Sequence, residues 1–143
     1  MKSLKEFNEF LDKGIVEKRT PNEPRARDLI AESDKTFKSV MEIIGKIGIN
    51  DTNSSTIIKE SYDAVTGLIR AKMLLKGFSS SGIGAHEVEI SYMRELNFPE
   101  QDVQFANQLR YFRNGIMYYG KRFDKEYAKK VFGFLKKIRV KLK

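Results

Sequence analysis

The sequence predicts an all-α protein, an antiparallel helical bundle of five to six helices. Three observations carry that prediction. Apolar residues recur at alternating steps of three and four, the helical period, over most of the chain. A glycine followed by an apolar residue ends the pattern at Gly14-Ile15, Gly48-Ile49 and Gly77-Phe78, as expected where a helix closes on a left-handed residue. No segment alternates polar and apolar residues as a half-buried strand would.

The first helix is expected to start at Ser3, with Glu6 three residues on completing a capping box, and to bury Leu4, Phe7 and Leu11. A second opens at Asn22-Glu23-Pro24 and carries the stripe Ala26, Ile30, Ser33, Phe37, Val40, Ile44 and Ile47. Turn chemistry over 50–55 precedes a third helix from about Thr56 to Lys76. Its apolar arc is wide, which places it at the centre with neighbours on several sides. A Ser/Gly loop over 78–84 leads into a short fourth helix, from Ala85 to Leu96. Asn97 and Glu100 read as the cap and its reciprocal partner for a fifth helix, ending near Tyr119. Asp124 caps the sixth, whose stripe is Tyr127, Val131, Phe134, Leu135, Ile138 and Leu142. The 143 residues thus read as one domain, an N-terminal helix within 1–21 and a bundle over 22–143.

Composition removes several function classes. The absence of cysteine excludes a disulfide scaffold, a zinc finger and a thiol nucleophile, and a single histidine, His86, cannot build a histidine-rich metal site. No cofactor and no metal are expected. No apolar run of transmembrane length and no secretory signal is present, so a cytoplasmic protein is expected, with no membrane partner. The net charge is +8. From Lys121 to Lys143 ten basic residues face only Asp124 and Glu126, while 1–120 balance at 17 of each sign, so the sixth helix and the turn before it carry the whole excess. Concentrated positive charge suits a polyanion, and equally a solvated face. An amphipathic basic helix also permits a membrane-surface face, but its apolar stripe is more simply the side that closes the bundle.

The fifth helix holds the richest polar constellation. Phe105, Ala106, Leu109, Phe112 and Ile116 face the core by their spacing, while Asn107, Arg110, Tyr111, Asn114 and Tyr118 share a second face, with Arg113 between. Arginine offers a planar fork to phosphate, and tyrosine a ring for stacking and a hydroxyl. The same residues could instead form ion pairs and buried seams with neighbouring helices. Other clusters carry less. Asp28 and Glu32 read as a solvated face, and Gly82-Ile83-Gly84 lacks the strand, lysine and helix of a phosphate loop.

The segments SYDAVTGLIRAKMLLKGF, AHEVEISYM and LRYFRNGIMYYG, followed by a lysine-rich helix, resemble the HEPN family of small helical bundles over about residues 25–143. HEPN domains carry an arginine, a polar residue such as asparagine and, a few residues later, a histidine. In active members the arginine and histidine form a metal-independent RNase site where two bundles meet. Arg113 and Asn114 match the first two positions, whereas Tyr118, followed by Tyr119, stands where histidine is expected. A phenol with an ordinary pKa near 10, against about 6.5 for imidazole, is a poor general base at neutral pH. His86 is the alternative proton carrier.

The resemblance implies a homodimer and, as for many small HEPN proteins, a minimal nucleotidyltransferase partner in a toxin–antitoxin pair. Three readings follow. The first is a nucleotide- or RNA-binding accessory module, with Arg113, Asn114 and Tyr118 at its centre and Arg110, Tyr111, Tyr119 and Lys121 binding the ligand. The second is a metal-independent endoribonuclease using Arg113 with Tyr118 or His86. The third is a dimerisation bundle with no ligand.

Overall fold

The computed structural model describes residues 3–119 and 123–142, with the side chains of 116–119 outside the description. Six helices and a two-stranded sheet follow in the order α1 (Phe7–Asp12), β1 (Val16–Lys18), α2 (Glu23–Ile47), α3 (Ser54–Leu75), β2 (Phe78–Ser80), α4 (Ala85–Glu95), α5 (Glu100–Tyr119) and α6 (Lys125–Leu142). This is an all-α helical bundle. None of the described helices is long and apolar enough to cross a membrane.

The central position expected of the third helix is realised. α3 lies against α2, α4, α5 and α6, and Ile57, Ile58, Val65, Leu68, Ile69 and Met73 are buried along it. The amphipathic helices around it turn narrower stripes inward. On α2 these are Ala26, Ser33 and Val40, with Ile30, Phe37 and Ile44 half-buried. Ile47, expected on the same stripe, is instead exposed, while Ile44 before it and Ile49 after the Gly48 stop pack against the core. Burial of such apolar side chains supplies the main driving force, roughly 25 cal/mol per Å² removed from water.

Local signals fix several boundaries. The Asn22 side chain accepts a hydrogen bond from the Arg25 amide at 3.1 Å and Pro24 sits in the first turn of α2. Asp124 accepts from the Tyr127 amide at 2.9 Å at the start of α6. Gly14, Gly48 and Gly77 all adopt the positive φ read from the sequence. Two expected capping boxes do not form. α1 begins at Phe7, after a Glu6 cap position with no side-chain cap bond, and Asn97 adopts a left-handed conformation, with α5 opening after Pro99. Arg94 accounts for both differences. It holds Glu6 at 3.5 Å and Glu100 at 2.8 Å, so neither glutamate folds back on its own helix.

No strand is expected from the patterning, and here the structure adds a correction. β1 and β2 pair antiparallel in the register Val16↔Ser80, Glu17↔Ser79 and Lys18↔Phe78. The ribbon ties the N-terminal segment to the chain after α3. Phe7 and Tyr92 clasp Phe78 there, with ring centroids 5.0 and 5.9 Å from it. The N-terminal helix is therefore part of the main apolar core.

Candidate functional site

Arg113 projects from α5 toward α3, where Asp63 meets it with two hydrogen bonds, Nε to Oδ1 at 3.1 Å and Nη2 to Oδ2 at 3.3 Å. The arginine side chain is 19% exposed and that of Asp63 40%. One turn earlier on α5, Arg110 donates from Nε and Nη2 to Asn107 Oδ1 at 3.2 and 3.0 Å, and its Nη1 lies 3.8 Å from Glu87 on α4. The Arg110 guanidinium also covers the Tyr111 ring at 4.6 Å. Asn107, placed by spacing on the same face as Arg110, is buried and acts as the strut that holds it. Both arginines are thus engaged by carboxylates of neighbouring helices within one subunit, the ion-pair alternative noted for this face. Asn114 is half-buried beside them. The side chains of Tyr118 and Tyr119, and all of Lys121, lie outside the described residues.

The centre of the cluster is Tyr62 on α3, a residue of that helix's apolar arc that is not among the expected site residues. Its ring is buried, and its hydroxyl has no hydrogen-bond partner among the described residues. Burial, with the nearby Glu89 charge adding to it, pushes this phenol far above its ordinary range. The Arg113 guanidinium lies 6.0 Å from the Tyr62 ring centroid and the His86 ring 6.1 Å from it. His86 and Arg113, far apart in sequence, therefore flank one aromatic ring.

His86 is anchored in turn. Its Nδ1 sits 3.2 Å from Glu89 Oε1, and Arg70 Nε donates to Glu89 Oε2 at 2.6 Å. Glu89 has no exposed side-chain surface, whereas His86 is 52% exposed and Arg70 34%. A carboxylate removed from water persists only when donors surround it, and here α3 and the first turn of α4 supply one each. Burial works against the Arg70 charge, but the hydrogen bond and charge of Glu89 outweigh it and raise the guanidinium above its ordinary value. With its proton on Nδ1, His86 donates to Glu89 and keeps its lone pair on Nε2, the arrangement by which a carboxylate orients a catalytic or ligating imidazole. A cavity of about 230 Å³ borders this group, lined by Asp63, Arg70, His86, Ser33 and Glu32 among others.

The charges of Arg70, Arg110 and Arg113 are matched by Glu89, Glu87 and Asp63. An incoming anion must therefore replace a carboxylate, and Asp63 is the more exposed of the two acids paired directly to Arg70 and Arg113. A signal for these partners was present in the sequence, since Asp63 and Arg70 interrupt the apolar arc of α3 and Glu89 stands between Val88 and Ile90.

The basic face of α6 is partly spent on the fold. Lys137 pairs with Asp102 at 2.7 Å, Arg139 with Asp34 at 2.7 Å while covering the Phe37 ring at 3.9 Å, and Lys141 reaches the Asn97 carbonyl. No ion pair among the described residues engages Lys125, Lys130 or Lys136. No group of metal-ligating side chains occurs among the described residues. Neither a protein-family model, nor a curated protein, nor a solved structure matches this chain.

Proposed function

We propose that the chain is a HEPN-like RNA- or nucleotide-binding module in which Arg113 takes a phosphate by exchanging it for Asp63. One observation carries the reading. Arg113 offers two N–H groups to a half-exposed carboxylate, the same two-point geometry in which a guanidinium holds a phosphate. Asp63 occupies the place of the anion until one arrives. The unpaired lysines of α6 raise the local concentration of a polyanion. Following the family resemblance, the functional unit is a homodimer, with a nucleotidyltransferase as its protein partner.

A second reading, a metal-independent endoribonuclease, is favoured by the Glu89–His86 pair beside Arg113 and Arg70. In it His86 takes the proton of a ribose 2′-hydroxyl as that oxygen attacks the adjoining phosphorus. The 5′-oxygen leaves with a proton taken from solvent water, His86 returns its own proton to solvent afterwards, and the products are a 2′,3′-cyclic phosphate and a 5′-hydroxyl.

The test is anisotropy of a labelled single-stranded RNA with EDTA present, run across a salt series, with the products separated on a gel. The module reading expects binding that weakens steeply with salt and leaves the RNA intact. Cleavage to a cyclic phosphate that disappears in His86→Gln turns the conclusion to the enzyme. Absence of both binding and cleavage, with Arg113→Ala altering only the mass in solution, leaves a dimerisation bundle.

A further inference from the structure

We propose that the cleft between α5 and α6 is a pocket for one unpaired RNA base carrying an exocyclic amino group, a site distinct from the Arg113 cluster. The proposal rests on the RNA-binding reading above and names what that RNA presents. α5 and α6 both lean on α3, and the space between them opens as a cavity of about 360 Å³ walled by Phe105 and Phe134. Those two rings lie 4.8 Å apart at a tilt of 56°; Phe134 is buried, and the half-buried Phe105 keeps aromatic surface for a base to stack against. Gly133 keeps the cleft open, because no atom lies within 4 Å of where its Cβ would stand.

Asp102 lines the same cavity. It is 4% exposed, its Oδ1 accepts from Lys137 at 2.7 Å, and its Oδ2 is buried with no donor among the described residues. A desolvated carboxylate oxygen without a donor is costly, and a ligand N–H that reaches it recovers that cost. Lys137, on the rim and half-exposed, is the movable wall through which the ligand gains the carboxylate. Lys130, also at the rim, faces solvent where the neighbouring phosphates run.

An aromatic wall, a buried acceptor and rim lysines together describe a base with its phosphates rather than an apolar peptide. The acceptor also sets the preference. Adenine, cytosine and guanine present an amino group to it, as cytosine does to an acidic side chain in a DNA groove. Uracil offers only an imino N–H between two carbonyl oxygens, which repel the carboxylate.

The experiment compares labelled oligo(A), oligo(C) and oligo(U) of equal length on the full chain, with Gly133→Leu and Asp102→Leu beside the wild type. Gly133→Leu fills the cleft from a helical position where leucine is the better helix former, so its urea midpoint should not fall. The expected result is about tenfold tighter binding of oligo(A) and oligo(C) than of oligo(U), the size of one specific polar contact to a base. That preference should disappear in both variants. Equal binding of all three oligomers, or a preference unchanged in Gly133→Leu, overturns the pocket while leaving the RNA-binding reading in place. Failure of every oligomer to bind overturns both.

Discussion

Glu89 is wholly enclosed and yet bonds outward, to the half-exposed Arg70 at 2.6 Å. Removing the arginine strands a carboxylate in the core with only His86 beside it. Arg70→Met is expected to cost about 3 kcal/mol in urea unfolding, the lower end of the range for breaking a buried pair from one side, since Arg70 is itself one-third exposed. The double variant Arg70→Met with Glu89→Leu should recover most of that loss, since the cost lies in the uncompensated charge. A single variant as stable as the wild type would mean that Glu89 finds another donor.

Tyr127 gives a pH dependence with a defined sign. Its hydroxyl is buried with no hydrogen-bond partner among the described residues, and burial pushes the phenol up to about 12. The unfolded chain ionises this group near pH 10. Its contribution is therefore fully present below pH 10 and drains away as pH rises toward 12. Tyr127→Phe should leave stability at pH 7 unchanged or slightly higher and lessen the alkaline fall. The fall will not vanish, because Tyr62 and Tyr92 are shifted upward by burial as well. Urea midpoints at pH 7, 9 and 11 for both proteins check this.

Two glycines should respond in opposite directions to alanine. Gly77 has φ +85°, and an added Cβ would strike the Arg19 carbonyl where the ribbon leaves α3. Gly77→Ala should cost at least about 2 kcal/mol, from strain plus loss of that close approach. Gly45, inside α2, has open space around its Cβ position, so Gly45→Ala should gain about 0.5–1 kcal/mol. Thermal unfolding of the two variants separates these outcomes.

The helices were legible because their signals are local. Asn22 and Asp124 cap with their own side chains, and Gly14, Gly48 and Gly77 stop helices by their own φ. Where a distant residue competes, local reading fails. Ser3–Glu6 and Asn97–Glu100 have the spacing of capping boxes, but Arg94 takes both glutamates. The strands escaped notice because three residues each are too few to show a period, and pairing partners such as Val16 and Ser80 lie far apart in sequence.

The site divides in the same way. The face of α5 that bears Arg110 and Arg113 follows from helical spacing. Their acids, Glu87 and Asp63, come from other helices, and spacing along one helix says nothing about which carboxylate packs opposite. The buried role of Asn107 and the meeting of His86 with Arg113 across Tyr62 depend on the same packing.

The exchange of Asp63 for phosphate is tested most directly by the affinity of a labelled single-stranded RNA, with EDTA present, for the wild type, Asp63→Asn and Arg113→Ala. Loss of the competing charge should tighten binding by about threefold to tenfold in Asp63→Asn, and loss of the fork should weaken it by at least about tenfold in Arg113→Ala. Circular dichroism should show both variants folded. Folded variants that bind RNA with wild-type affinity would contradict the account, because Arg113 and Asp63 would then be an ion pair and nothing more.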